Sequence, residues 1–306
     1  MQSVLGQIEQ RLQIILVDDG STDDTLTRLF EWKKRFDKND LACEILRKPN
    51  GGIASAINLG LRYFTGKYVC FPDADDALEP DYISAMVTYL EENPAYDVVR
   101  CDHTIINEIN NQKKLADKDF SKHGFFKTLL LGNLNTNIWP MLFRSDFLRG
   151  RIPNLHLHES GKLGAQEWQL LLPLTYKTEV AYIKKPLYNY YFYLDSHSQI
   201  SMGDRSEASL LAYSFKIRED ISATVDTMPF TYEERGLYRD IAEFRIACLN
   251  MGLDNLSESA RYTCAILLAY QLHKYTKSIV KVEALMIPER FLYHSQRLRD
   301  YFLHAI

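Results

Sequence analysis

Short apolar runs alternate with helical patterns along the first hundred residues of the chain. Runs rich in apolar residues predict strands at residues 13–17, 44–47, 68–71 and 97–101. Between them, apolar residues at helical spacing predict helices over residues 23–36 and 53–64, and a further helix follows Pro80. We expect Ser21 to cap the first of these helices and Gly66 to end the second in the left-handed conformation. This alternation predicts a Rossmann-like α/β fold, with a mostly parallel central sheet and flanking helices.

The pattern changes beyond the fourth predicted strand. It indicates a loop or hairpin at residues 105–119, helices at 125–131 and 165–176, and strands at 139–143, 180–183 and 187–193. Beyond residue 204, Gly and Pro are few and long helical patterns prevail. We therefore expect a first domain over residues 1–203 and an all-helical C-terminal region over residues 204–306.

Composition narrows the class of protein. The 306 residues carry a net charge of -4, which argues against a nucleic-acid partner because such proteins present basic surfaces. The five cysteines are widely spaced without a C-x-x-C pair, which predicts reduced thiols and a cytoplasmic location. No apolar run is long enough to cross a bilayer, so we expect no membrane-spanning segment. The first residues do not show a basic segment followed by an apolar one, so we also expect no signal peptide.

Acidic residues follow two of the predicted strands at their carboxyl ends. Asp18 and Asp19 follow the first strand, and Asp73, Asp75 and Asp76 follow the third. Ligands of α/β sheets bind beyond these strand ends, so we expect both clusters at one rim. Two carboxylates two residues apart suit one Mg²⁺ or Mn²⁺ ion, whereas Asp76 fits an acid at a helix N-terminus. The first cluster can accept hydrogen bonds from a nucleobase or ribose, or can simply form a turn and helix cap.

Three segments resemble the family 2 glycosyltransferases. Residues 14–23 resemble the nucleotide-binding segment of that family, residues 50–60 its next turn and helix, and residues 71–76 its metal-binding D-x-D element. The resemblance covers about two hundred residues. It implies an A-type fold and inverting transfer of a hexosyl or N-acetylhexosaminyl group from a nucleotide-diphosphate sugar. It further implies that the donor is a UDP-sugar and that the acceptor is a polysaccharide or a lipid-linked glycan of the cell envelope.

The resemblance also implies roles for individual residues. Asp19 would contact the base, with Asp18 and Asn50 beside the nucleotide, and Asp75 would bind the metal and diphosphate. Asp73 would contact the donor sugar or ribose, or the metal through water. The catalytic base corresponds to Glu167, where Gln166 replaces an acid that the family usually carries. His197 lies in a loop where similar proteins contact the diphosphate. A further group, His156, His158 and Glu159, predicts a solvent-exposed or acceptor-facing loop.

Alternatives remain open at the level of sequence. Members of the family begin with an apolar strand, and no segment of this sequence resembles it. We expect such a difference in a fragment, after a start-site error or in a protein that has lost activity. An inactive, glycosyltransferase-like binding protein is therefore one alternative. A phosphohydrolase with Asp73 as nucleophile and Asp75 as acid/base is another. A dinucleotide oxidoreductase is disfavoured, because no G-x-G-x-x-G motif follows a predicted strand. The helical tail is a candidate for contact with a membrane surface, a lipid-linked acceptor or a second subunit.

Overall fold

A computed structural model describes residues 1–116, 125–130, 137–159, 166–193, 220–232 and 234–235. The strands are β1 (Gln13–Asp18), β2 (Ala42–Arg47), β3 (Tyr68–Val69), β4 (Ala77–Leu78), β5 (Val98–Asn107), β6 (Gln112–Ala116), β7 (Met141–Arg144) and β8 (Val180–Phe192). The helices are α1 (Gln2–Leu5), α2 (Thr25–Lys38), α3 (Ile53–Gly60), α4 (Tyr82–Glu92), α5 (Phe125–Leu130), α6 (Ser145–Arg151) and α7 (Gln166–Thr175).

The first sheet consists of β1 and β2, which pair in parallel from Gln13 opposite Ala42 to Asp18 opposite Arg47. Helix α2 connects the two strands and covers one face with its apolar side. Its core contains four buried residues, Ile14, Phe36, Leu41 and Cys43. Among the described residues, no strand pairs with the second edge of β1. The parallel pair brings the polar ends of both strands to one edge.

The second sheet has six strands in the order β3-β7-β5-β8-β4, with β6 added to β5 as a hairpin. β5 and β8 are parallel, and the other pairs are antiparallel. Helix α4 covers this sheet with Tyr82, Met86 and Leu90, all three fully buried. The α/β architecture with flanking helices is confirmed. The sheet expected to be mostly parallel is mixed, because β3, β4, β6 and β7 form antiparallel pairs around the parallel pair of β5 and β8. β1 and β3 belong to different sheets, so the two acidic clusters do not follow strands of one sheet as expected.

Several element bounds differ from the sequence prediction. Strand β8 is continuous where two strands were predicted, since it follows β5 through a register shift between Cys101 and His103. Helix α2 begins at Thr25 after Asp24, so Ser21 is not its N-cap. Helix α3 ends at Gly60, and the described glycines with positive φ are Gly20 and Gly52. Gly66 therefore does not end that helix in the left-handed conformation.

The chain divides into two units, Met1–Lys127 with Asn135–Gly203, and Thr128–Leu134 with Asp204–Ile306. In the second unit, residues 220–227 are helical, and Ile221 and Val225 are buried. Residues 236–306, where the long helical patterns lie, are outside the described residues, so the domain boundaries and the all-helical region remain predictions. Within the described part of the chain, no helix is both long enough and apolar enough to cross a membrane. Cys43, Cys70 and Cys101 are free thiols.

Candidate nucleotide and metal site

Asp18, the last residue of β1, holds the turn that follows the strand. Its Oδ1 accepts a hydrogen bond from the backbone N–H of Ser21 at 2.9 Å, and its Oδ2 lies 3.2 Å from Nε of Arg47. The side chain is fully buried. Hydrogen bonding from Ser21 lowers the pKa of this carboxyl, and Arg47 adds to the effect. Asp18 is thus an ionised group oriented into the protein, and its contact with a nucleotide remains a prediction.

Asp19 connects the end of β1 to the turn before α3. Its Oδ1 lies 2.6 Å from Nζ of Lys48 and accepts a hydrogen bond from the N–H of Gly51 at 3.0 Å. Its Oδ2 accepts a second one from the N–H of Gly52 at 2.8 Å. The side chain is partly accessible to solvent. This carboxylate therefore holds the turn before α3 together and places the Lys48 cation beside it.

Gly20 allows that turn to approach β1 closely. The residue has φ +78°, and a Cβ placed on it would lie 2.6 Å from N of Asn50 and 3.2 Å from the carbonyl oxygen of Lys48. Any other residue at this position would push the two loops apart. Asn50 itself is exposed beside the turn.

Three carboxylates follow β3, as the sequence predicted. One oxygen from each of Asp73, Asp75 and Asp76 lies within 4.8 Å of the others, with the first two residues exposed and Asp76 half-buried. Although solvent reaches Asp73, the surrounding protein partly desolvates it. Desolvation, with Asp76, Asp75 and Glu167 nearby, raises the pKa of Asp73 to about 7. Oxygen donors whose charges repel one another fit a hard divalent cation, which would relieve that repulsion.

Glu167 lies in the first turn of α7, close enough to Asp73 to raise its pKa. Burial raises the pKa of Glu167 to about 7, opposed by hydrogen bonds from its own backbone and from Gln166. The Nε2 of Gln166 lies 2.9 Å from Oε1 of Glu167. A carboxyl with a pKa near neutrality is suited to accept a proton at physiological pH. The residue that replaces the family's usual acid is thus a hydrogen-bond donor to the candidate base.

Residues 156–159 are fixed to α3, which the sequence pattern did not predict. Asn58 is buried, and it exchanges two hydrogen bonds with the backbone of Leu157, at 2.7 and 2.9 Å. Glu159 accepts hydrogen bonds from Nδ2 of Asn58 at 2.9 Å and from Oγ of Ser55 at 3.0 Å. His156, His158 and Glu159 are exposed, as predicted, and the hydrogen bonds to α3 fix their segment beside the Asp19 turn.

The same segment is fixed to α7 by Gln169. The Oε1 of Gln169 accepts a hydrogen bond from the N–H of His158 at 2.6 Å, and its Nε2 donates to the carbonyl of His158 at 3.1 Å. On the other side, the charge of Lys48 contributes to lowering the pKa of Glu159. A series of contacts therefore connects the Asp19 turn to α7. Asp19 pairs with Lys48, the charge of Lys48 acts on Glu159, and the segment of Glu159 is hydrogen-bonded to α7, the helix that carries Glu167. Sequence reasoning missed Lys48 and Gln169, although a cation directly after β2 was a usable signal.

Comparison with known proteins identifies the first half of the chain. Residues 1–149 match the family described as Glycosyl transferase family 2. This half of the chain is a family 2 glycosyltransferase domain. The putative glycosyltransferase EpsH of Bacillus subtilis (strain 168) is 24% identical to the chain over 220 residues, 70% of this chain and 62% of EpsH. The chain thus spans less than two thirds of that relative.

Two solved structures share the fold of this chain. S. aureus TarS, residues 1-349 in complex with UDP-GlcNAc, superposes with a TM-score of 0.62 at 14% identity, over 99% of this chain and 83% of that one. The mannosyltransferase PcManGT from Pyrobaculum calidifontis, in complex with GDP-Man and Mn²⁺, gives 0.51 at 16% identity, over 99% and 80% of the two chains. The predicted A-type α/β fold is confirmed. The predicted roles of individual site residues remain predictions, and His197 lies outside the described residues.

Proposed function

We propose that this glycosyltransferase domain transfers a sugar from a nucleotide-diphosphate donor to a hydroxyl of an acceptor, with inversion and with a divalent metal. The observation that carries the proposal is the cluster of Asp73, Asp75 and Asp76, whose carboxylate oxygens lie within 4.8 Å of one another after β3. The charge of Glu167, the candidate base, contributes to the raised pKa of Asp73. Membership of residues 1–149 in the family supplies the reaction class.

Asp73 and Asp75 are the residues that would hold Mg²⁺ or Mn²⁺. The ion would act as a Lewis acid that neutralises the diphosphate leaving group. Carboxylates are the ligands that both ions prefer, and both side chains are exposed. The presence of Mn²⁺ with GDP-Man in the complex of PcManGT supports this assignment.

The turn held by Asp19 would bind the nucleotide part of the donor. Lys48 offers a positive charge beside the partly exposed Asp19, whose oxygens can accept further hydrogen bonds from a base or ribose. Asp18 and Asn50 would support the same region, and His197 would contact the diphosphate. The complex of TarS with UDP-GlcNAc supports a UDP-sugar carrying a hexosyl or N-acetylhexosaminyl group.

Glu167 would act as the general base. As the acceptor oxygen forms a bond to the anomeric carbon, the bond from that carbon to the diphosphate oxygen breaks on the opposite face. The hydroxyl proton passes to the carboxylate of Glu167, and the nucleoside diphosphate leaves with the electron pair of the broken bond. The direction of attack inverts the anomeric centre. A growing polysaccharide or lipid-linked glycan is the acceptor that the family resemblance implies.

A donor screen tests this function directly. The full chain is incubated with UDP- and GDP-sugars, with and without Mn²⁺, and released nucleoside diphosphate is measured beside the thermal stability. We expect one donor to give metal-dependent release that increases with added glycan acceptor. The absence of both nucleotide release and thermal stabilisation by UDP with Mn²⁺ would favour an inactive, glycosyltransferase-like binding protein. Release of inorganic phosphate from sugar phosphates without an acceptor would instead favour the phosphohydrolase.

A further inference from the structure

The segment that carries the three carboxylates is held by β8, more than a hundred residues away in the sequence. Strand β4 follows this segment directly and pairs with β8, so that Leu78 lies opposite Tyr188. Tyr188 is fully buried beneath the carboxylates. The buried Tyr188 side chain thus lies under the segment of residues 73–76, in which Asp73 and Asp75 are exposed.

The hydroxyl of Tyr188 bridges the first and last carboxylate residues. It accepts a hydrogen bond from the backbone N–H of Asp73 at 3.0 Å and donates one to Oδ2 of Asp76 at 2.9 Å. The Oδ1 of Asp76 accepts another from the backbone N–H of Tyr191 at 2.9 Å. Both carboxylate oxygens of Asp76 therefore already have protein donors, in contrast to the exposed Asp75.

Aromatic packing fixes the position of that hydroxyl. The ring of Tyr188 stacks on Trp139 with centroids 4.4 Å apart and an interplanar angle of 20°. The ring of Tyr82 contacts it edge-on, with centroids 6.0 Å apart. A ring held on two sides cannot carry its hydroxyl away from the carboxylate segment, so the bridge is rigid.

We propose that Tyr188 and Asp76 form a positioning pair that fixes Asp73 and Asp75 for the divalent cation, and that Asp76 is an anchor and not a ligand. The inference rests on the proposed function, because it assigns the cation to Asp73 and Asp75. Groups that orient metal ligands set the affinity of a site, and their loss typically weakens metal binding about 10–100-fold. Asp76 and Tyr188 act through Asp73 and do not themselves touch the substrate.

The test compares Tyr188→Phe, Asp76→Asn and the double variant in the full chain. Mn²⁺ binding is measured without donor, by the loss of the free-ion electron paramagnetic resonance signal, and the Mn²⁺ requirement of transfer is measured separately. We expect each single variant to bind Mn²⁺ about tenfold more weakly. We expect the double variant to be no weaker than the weaker single one, since both changes remove the same bridge.

Tyr82→Phe is the matched control. Its hydroxyl is buried in the same cluster and donates to the carbonyl oxygens of Trp139 at 2.8 Å and Met141 at 3.3 Å, without contacting the carboxylate segment. We expect both this variant and Tyr188→Phe to melt at a lower temperature than the wild type, but the Mn²⁺ affinity of Tyr82→Phe to stay within twofold of the wild-type value. Equal Mn²⁺ affinities of Tyr82→Phe and Tyr188→Phe would overturn the proposal.

Other outcomes also decide the matter. A much larger loss for Asp76→Asn than for Tyr188→Phe, with additive effects in the double variant, would make Asp76 a ligand and refute the anchor. A wild-type protein that binds Mn²⁺ but transfers no sugar would overturn the proposed function alone, and the affinities of the variants would still support the pair. A wild-type protein that binds no Mn²⁺ would overturn both.

Discussion

Lys48 and Asp19 form an ion pair in which Nζ lies 2.6 Å from Oδ1, and the same carboxylate binds the N–H groups of Gly51 and Gly52. A single acid thus orders both the cation and the amides that follow β2. The ion pair is partly shielded from solvent, so it is less screened than a surface pair. Disrupting it should affect nucleotide binding more than folding.

We expect Lys48→Ala to weaken the binding of UDP with Mn²⁺ about tenfold, because the turn loses its cation and Asp19 its partner. Isothermal titration calorimetry measures the affinity. Arg28→Ala removes an exposed ion pair between α2 and its N-cap residue Asp24, and it should leave the affinity unchanged. If Lys48→Ala bound UDP with Mn²⁺ as tightly as the wild type, the proposal that the nucleotide binds at this turn would be wrong.

We expect Asp75→Ala to abolish metal-dependent transfer while the fold persists. Asp75 is exposed, so its removal creates no cavity and relieves repulsion among the acidic neighbours. Nucleoside diphosphate release and circular dichroism measure the two effects. Asp146→Ala, at a fully exposed carboxylate on α6, serves as the control and should remain active. Transfer by Asp75→Ala at the wild-type rate would refute the metal assignment.

We expect Glu167→Gln to retain donor affinity but to lose transfer by about 10²–10⁴-fold, as removal of a general base does. Calorimetry with UDP and Mn²⁺ and the turnover number separate the two quantities. The matched control is Glu179→Gln, at an exposed acid in the loop after α7, which should transfer normally. Unchanged transfer by Glu167→Gln would assign the base elsewhere.

The pH dependence of transfer follows from the raised pKa of Glu167, about 7 because of burial. The base must be ionised to accept a proton. Below pH 7 the turnover number should therefore fall about tenfold per pH unit, and above it the rate should level off. A rate profile from pH 5 to 9 checks this, and a profile that stays flat to pH 5 contradicts it.

The stability of the protein without metal should decrease as pH rises. The pKa values of Asp73, Asp76 and Glu167 are raised from 3.8, 3.8 and 4.5 to about 7, 6 and 7, chiefly by desolvation. The unfolded chain therefore releases these protons at lower pH, and the free energy of unfolding falls between about pH 4 and pH 7. Mn²⁺ should raise the melting temperature more at pH 8 than at pH 5. Scanning calorimetry measures both, and Asp73→Asn should weaken the dependence.

We expect Asn58→Ala to destabilise the chain by about 1–3 kcal/mol, because backbone groups of Leu157 lose buried partners. Denaturant unfolding measures the change. Asn39→Ala removes an exposed hydrogen bond to the carbonyl of Arg35 and should have little effect. A loss for Asn58→Ala as small as that of the control would mean that residues 156–159 do not depend on α3.

Local sequence determined the alternation of strands and helices, the acids at the ends of β1 and β3, and the position of Glu167 in the first turn of α7. Each depends on neighbours in the chain: apolar periodicity, strand length and the residues that follow a strand. The helix ends at Ser21 and Gly66 were predicted wrongly, because competing turns and hydrogen bonds decided those bounds.

Only the tertiary structure decided how these parts meet. The hydroxyl of Tyr188 reaches Asp76 from 112 residues away, and Glu159 binds Asn58 from 101 residues away. The pairing of β8 with β5 as one continuous strand is a third such case. A local pattern states which residues are polar and which are apolar. It does not state which distant donor satisfies each buried carboxylate, because that partner is chosen when the sheets and helices pack together.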